Sequence, residues 1–347
     1  MKAMVMAAGL GTRLRPLTEV LPKPMVPIAN RPVLHHLLNL LVRHDVREVG
    51  INLHVLPELI QAYFGDGSAL GMSIRWSEEK ELLGTAGGTK KLEDFWGREA
   101  ILVTSGDGLH EIDVTALLGH HRRTGALATL AVKPVDDPSS YGVVILDRDT
   151  RVRGFQEKPR RDEARSDLAN CGVYVIEPEL LDRIPDGTFA DFGEQIWPAL
   201  VAAGEPLYGY TTMAYWNDVG GLDELRNSIL DAVAGRVRVE IPGEEIAPGV
   251  WAEEGCEVHS SATVEGPVVL GRNVVIEADA LIRGPAAIGA DSRVGRGAAI
   301  RSAALLPGSL VPNWGLAIAG IFGDASKLAE SILRYPAVGL ARESRSS

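Results

Sequence analysis

Two rhythms of apolar and polar residues divide the chain near residue 240. Before that point, short continuous apolar runs alternate with amphipathic stretches. KAMVMA at 2–7, REVGINL at 47–53, AILVTSGD at 100–107 and ALATLAVKP at 126–134 read as strands buried on both faces. Between them, PVLHHLLNLLVRH at 32–44 puts Leu34, Leu37, Leu38 and Leu41 on one helical stripe, with Pro32 at its first turn. LPELIQAYF at 56–64 and DVTALLGHHRR at 113–123 predict two more helices. Such alternation predicts an α/β domain over 1–236: a Rossmann-like, mostly parallel sheet with helices on both faces. Ligands of such sheets bind beyond the carboxyl ends of the strands, so AAGLGTR and SGD are expected on one rim.

After residue 240 the period becomes six. Val258, Val264, Leu270, Ile276, Ile282, Ile288, Val294, Ile300 and Leu306 form an unbroken aliphatic register. Two places earlier in each unit stand small or β-branched residues, from Cys256 and Ala262 to Ala298 and Ala304. This double register predicts a left-handed parallel β-helix over 245–312, with roughly three coils. Outward positions include apolar Val269, Val275, Leu281 and Leu305, which predict a homo-oligomer assembled through the solenoid. The tail, 313–347, is expected to hold one helix near 325–334 and to fray at ARESRSS.

Composition narrows the function. The 46 Asp+Glu against 35 Lys+Arg give a net charge of −11, which leaves no basic surplus for nucleic acid. Cys171 and Cys256 match no metal or disulfide spacing, so a cytoplasmic setting is expected. No apolar run reaches the length needed to span a membrane, and MKAMVMAAGL reads as a strand rather than a signal peptide.

Against this acidic background, MAAGLGTRLRPLTEVLPKPM at 6–25 gathers Gly9, Gly11, Arg13, Arg15 and Lys23 behind the first strand. It is neither a Walker A loop nor a dinucleotide fingerprint, since no GK[ST] follows and Leu14 stands at the third glycine position. Glycines still admit backbone N–H groups to an anion, and arginines supply charge-assisted bonds to phosphate oxygens. The prolines of LPKPMVP are expected to hold Lys23 in an extended segment.

The pattern G-x-G-T-R-L-x-P-x-T followed by P-K-P resembles the signature of the sugar-nucleotide pyrophosphorylases, or sugar-1-phosphate nucleotidyltransferases. LGTAGG at 83–88, SGD at 105–107, YGVV at 141–144, FQEKP at 155–159, NCGVYV at 170–175 and WNDVGG at 216–221 continue the resemblance in order. PKPMVPIANRPVLHHLL and EKELLGTAGG are most similar to bacterial mannose-1-phosphate guanylyltransferases. Two positions depart from the family pattern: Ala8 where glycine is frequent, and Cys171 where a small residue is usual.

The resemblance implies attack of a sugar-1-phosphate oxygen on the α-phosphorus of a nucleoside triphosphate, with pyrophosphate leaving in line. Catalysis would then be positioning and charge neutralisation. By carry-over, Ala7, Ala8, Gly9, Gly11, Thr12, Arg13, Arg15, Lys23, Gly84, Thr85 and Asp107 bind the nucleotide. Gly142, Glu157, Lys158, Asn170 and Asp191 bind the sugar phosphate. Asp107 and Asp218 are the implied ligands of Mg2+; Arg13, Lys23, Asp107, Lys158 and Asp218 are the implied catalytic set. Glu79 is a candidate reader of guanine, whose N1–H and N2–H₂ are adjacent donors suited to a carboxylate. That favours GTP; mannose-1-phosphate follows from the likeness to the guanylyltransferases alone, with glucose-1-phosphate thymidylyl- or uridylyl-transfer and cyclitol phosphates as alternatives. A non-catalytic sugar-nucleotide-binding paralogue would be expected to lose some of these charges. An acyltransferase would use a solenoid histidine, but His259 is expected in a surface turn.

Overall fold

The apolar runs of the first part form a nine-stranded mixed sheet, with helices on both faces. The computed structural model describes residues 1–334, 336 and 337. In chain order the main elements are β1 (Lys2–Met6), α1 (Val33–Arg43), β2 (Glu48–Leu53), α2 (Pro57–Phe64), β3 (Ser73–Glu78), α3 (Gly84–Lys91), β4 (Ile101–Ser105) and α4 (Val114–Thr124). There follow β5 (Ala128–Pro134), β6 (Gly142–Leu146), β7 (Val152–Glu157), β8 (Leu168–Ile176), α5 (Trp197–Ala202), β9 (Leu207–Thr211) and α6 (Leu222–Val233). The predicted strands and helices up to residue 134 all form, within a residue or two of the expected ends.

The sheet runs β7-β6-β8-β4-β1-β2-β3, with β5 on β8 and β9 on β5. Strands β4, β1, β2 and β3 are parallel to one another, and β8 joins them antiparallel to β4. Alternate residues explain the apolar runs: Ala3 and Val5 enter the core on one face of β1, while Met4 enters the core on the other. The chain leaves β1 for β2 on one side and later returns to β4 on the other. This reversal opens a crevice at the carboxyl ends of β1 and β4.

The six-residue rhythm forms three parallel ladders of short strands, beginning at Val250–Ala252, Glu257–Val258 and Thr263–Glu265. They pass the expected end at 312 and continue to Ile321–Phe322. The last two coils are each one residue short: Leu270 pairs with Ile288, but Ile288 pairs with Leu305 and Leu305 with Phe322. Leu305, Val311 and Ala317 therefore point into the solenoid core, and Leu306 joins the catalytic core instead. The expected outward position of Leu305 is corrected accordingly. Val269 does point outward, yet it is buried against the catalytic domain together with Ala287 and Ala304.

This docking covers one ladder. Asn30 Nδ2 donates to Ile288 O at 2.9 Å, and Arg31 forms a bidentate pair with Glu253 at 3.2 and 2.9 Å. After the solenoid, a helix at Leu328–Arg334, α7, packs Leu328 and Ile332 onto the catalytic core. The frayed end expected at ARESRSS lies outside the described residues. Among the described residues no helix is long and apolar enough to cross a membrane.

Candidate active site

Strand register brings the charged residues together. Met6 lies beside Ser105 at the ends of β1 and β4, so the glycine loop and Asp107 leave the sheet side by side. Asp218 arrives from a short strand, Trp216–Asp218, antiparallel to Gly108–His110, with Asp218 opposite Gly108. The two carboxylates thus flank one point. Lys23 Nζ sits between them, 2.6 Å from Asp107 Oδ2 and 3.6 Å from Asp218 Oδ1. Lys23 occupies a single 3₁₀ turn, Lys23–Met25, between extended Pro22 and Val26, rather than the wholly extended segment expected.

Burial opposes the charge on Lys23, but Asp107 and Asp218 outweigh it and raise its pKa. Burial and the neighbouring Asp107 both raise the pKa of Asp218, only partly offset by Lys23 and Arg13. The donor set suits a hard cation: two carboxylates on one rim, with no group of three His, Cys, Asp or Glu side chains among the described residues able to hold a metal alone. A cation bound here would take its remaining ligands from water and substrate oxygens, as Mg2+ does.

A cleft of two lobes opens from this point. One lobe, of about 300 Å³, is lined by Gly142, Glu157, Lys158, Asn170, Asp191 and Asp218 among others. The second, of about 270 Å³, is lined by Ala8, Gly9, Glu79, Gly84, Thr85 and Asp107 among others. Met6, Thr85, Ser105 and Asp191 line both. All five residues expected for the sugar phosphate therefore share one lobe.

Local structure shapes each wall of the first lobe. β8 is irregular between Asn170 and Tyr174, where Gly172 takes a φ of +69° and donates its N–H to Asn170 Oδ1. Asn170 Nδ2 donates to the Tyr174 hydroxyl at 2.9 Å, so the amide is held at both ends. Lys158 adopts a φ of +42°, donates its N–H to Tyr141 O and pairs through Nζ with Glu157 Oε1 at 2.9 Å. A Cβ at position 142 would stand 2.6 Å from the Phe155 ring and 3.1 Å from Glu157 Oε2, which is why YGVV carries a glycine there.

The second lobe rests on LGTAGG. The Ala86 and Gly87 N–H groups donate to Ala190 O, and Ala190 N–H donates to Leu83 O. Gly84, at a φ of +72°, lies so close to Ala190 O that a Cβ would meet it at 2.4 Å. Thr85 Oγ1 donates to Asp191 Oδ2 and accepts from Phe192 N–H. Asp191 Oδ1 accepts from the Gly193 and Glu194 N–H groups, so Asp191 also caps the turn that it begins.

Glu79 is no surface charge. It is buried, with Oε1 accepting from Asn52 Nδ2 at 2.8 Å and Oε2 from Leu83 N–H at 3.0 Å. Asn52 in turn accepts the Ala7 N–H at 2.8 Å, so one network ties β2 and LGTAGG to the start of the glycine loop. Sequence reasoning missed Asn52; its signal was a polar residue near the end of an otherwise apolar strand. It also missed Tyr141 and Trp216, whose rings lie 5.1 Å apart in the first lobe's wall.

Other expected residues lie outside the lobes. Ala7 is buried behind the loop, and Gly11, Thr12, Arg13 and Arg15 line neither lobe. Arg13 reaches back over WNDVGG: a Cβ at Gly220 would stand 3.0 Å from its guanidinium. Arg15 is exposed. Cys171 is buried with its thiol pKa pushed up to about 12, which fits packing rather than nucleophilic chemistry. His259 is exposed, with Nδ1 bonded to Ser261.

Residues 2–234 match the family model described as nucleotidyl transferase. The chain is 38% identical over 292 residues to the UTP–glucose-1-phosphate uridylyltransferase of Synechocystis sp., covering 80% of this chain and 75% of that one. It is 36% identical over 279 residues to the mannose-1-phosphate guanylyltransferase of Mycobacterium tuberculosis, covering 79% and 76%. The crystal structure of HddC from Yersinia pseudotuberculosis superposes with a TM-score of 0.58 at 24% identity, over 66% of this chain and 97% of that one, and shows the same fold. With these matches, the chain belongs to the nucleotidyl transferase family.

Proposed function

We propose that this protein joins mannose-1-phosphate to GTP, forming GDP-mannose and pyrophosphate. It is a sugar-1-phosphate nucleotidyltransferase; the choice of nucleotide rests chiefly on Glu79, and that of the sugar on likeness to the guanylyltransferases. Its carboxylate is fixed in the wall of the second lobe by Asn52 and Leu83, and each oxygen keeps a further lone pair for a donor. Guanine offers two adjacent donors; uracil and thymine offer an acceptor–donor–acceptor edge. The 36% identical guanylyltransferase supports the same substrates. The 38% identical uridylyltransferase favours a second reading, UTP with glucose-1-phosphate.

In the first lobe, Glu157 accepts hydroxyls of the sugar, Asn170 orients it, and Lys158 meets its phosphate. The backbone of Gly9 and Gly11, with Thr12, Arg13 and Arg15, holds the triphosphate, and Lys23 turns to its α-phosphate. Asp107 and Asp218 would hold Mg2+, which supplies neutralisation of phosphate charge when bound. No residue here needs to act as a covalent nucleophile, because the sugar-phosphate oxygen is one. The reaction belongs in the cytoplasm, where nucleoside triphosphates are made, and the protein works as a homo-oligomer through its solenoid.

The test is a matrix of five nucleoside triphosphates against several sugar-1-phosphates with Mg2+, scored by pyrophosphate release. GTP with mannose-1-phosphate should give the highest kcat/KM. A maximum with UTP and glucose-1-phosphate would establish the second reading instead.

A further inference from the structure

Phe189 is the large apolar side chain that the site leaves uncovered. It is 54% exposed, yet it lines the second lobe beside Leu82, Gly84 and Glu79. Its backbone is not loose. The next residue, Ala190, is bonded through both its N–H and its carbonyl to LGTAGG, and Asp191 is bonded to Thr85. The ring rests against Gly84: a Cβ there would stand 3.2 Å from Phe189 Cε2. The aromatic ring thus lies beside Gly84, on a segment bolted to the site, while much of its surface meets solvent.

The lining of the second lobe gives this exposure a meaning. The sugar-phosphate lobe carries Glu157, Lys158, Asn170 and Asp218. The second lobe sets apolar Met6, Ala8, Leu82 and Phe189 around the hydrogen-bonded Asn52–Glu79 pair, with Thr85, Ser105, Asp107 and Asp191 completing its lining. A flat heterocycle with polar edges and apolar faces matches that arrangement. Its edge would meet Glu79 while a face lies against an aromatic ring, and stacking of this kind tolerates any base because every base has a π-face.

Resting on the proposed transfer reaction, we propose that Phe189 is the stacking platform for the nucleobase, a nucleotide-binding residue that supplies affinity while Glu79 supplies selectivity. Loss of the ring should then weaken every nucleotide that the enzyme uses, purines most.

Two variants test this. F189A should raise KM for the nucleotide by about tenfold or more, with kcat and KM for the sugar phosphate within about twofold of the parent. F189W should keep the parent's KM. Its added tryptophan emission, taken as the difference from the parent, should be quenched by GTP or UTP and not by inorganic tripolyphosphate, which lacks a base. An unchanged nucleotide KM in F189A, or quenching by tripolyphosphate equal to that by the nucleotide, would overturn the platform. Quenching is read without turnover. Failure of the transfer reading would therefore show separately, as no pyrophosphate from the parent with any substrate pair.

Discussion

Three side chains settle what the centre can do. Lys23 is an ammonium held between Asp107 and Asp218, and burial first, then the neighbouring Asp107, raises the pKa of Asp218. Replacing Asp107 or Asp218 with asparagine should lower turnover by about two to three orders of magnitude while circular dichroism stays unchanged. Near-parental rates at saturating Mg2+ would remove the paired aspartates from the mechanism. Glu79 makes a different prediction. In Glu79→Gln, one oxygen becomes an NH₂ facing a donor, either Asn52, Leu83 or guanine. GTP use should weaken by about 1–3 kcal/mol relative to UTP or dTTP; an unchanged ratio of kcat/KM values would deny Glu79 any part in reading the base. These charges were legible because each stands in a motif whose spacing is visible in the chain. Asn52 and Phe189 were not, since their part depends on contacts from strands and loops far away in sequence.

Among the elements, α1 holds the segment that leads into the solenoid, with His35 and Asn39 both bonded to Glu240. His36 is buried in it, with Nε2 bonded to Ile28 O, and burial holds its pKa at about 3 instead of the ordinary 6.5. Nearby, hydrogen bonding from His35 brings the Glu240 carboxyl down to about 2 from 4.5, against the effect of burial. Both folded values lie below the unfolded ones, so both contribute stability that is complete above the unfolded pKa and lost as pH falls. For His36 the loss begins below pH 6.5 and amounts to about 2 kcal/mol by pH 5; the Glu240 contribution fades only below 4.5. Buried His110, held at about 4, loses stability over the same range, so urea unfolding at pH 7 and pH 5 should show a larger drop, from which His36→Leu should remove the His36 share. Equal stability at the two values in the parent would contradict the buried neutral histidine. Sequence periodicity identified α1 and the early strands because their apolar positions repeat locally. It placed Leu306 in the solenoid because the residue lost between Ile300 and Leu305 leaves the aliphatic pattern intact while shifting the register. Only pairing with the preceding coil reveals that shift.

Across the whole molecule, the docking of one solenoid ladder onto α6 changes where assembly can occur. Val269 and Leu305 are buried within the chain, whereas Leu310, Trp314, Leu316 and Ile318 on the last coil are 52–69% exposed. The proposed homo-oligomer therefore uses that coil, whose terminal strands also present open edges. A variant carrying Leu310→Ser, Trp314→Ser and Leu316→Ser should be smaller by light scattering than the parent at micromolar concentration. An identical mass in both would remove the last coil from the interface. In the proposed reaction, the two lobes meeting at Asp107 and Asp218 bring both substrates to one point, so that transfer occurs in a single displacement. The stereochemical course at the α-phosphorus, followed with a chiral α-thiotriphosphate and the preferred sugar-1-phosphate, tests this most directly. One inversion is the predicted result; retention of configuration would mean a covalent nucleotidyl-enzyme and would contradict the account.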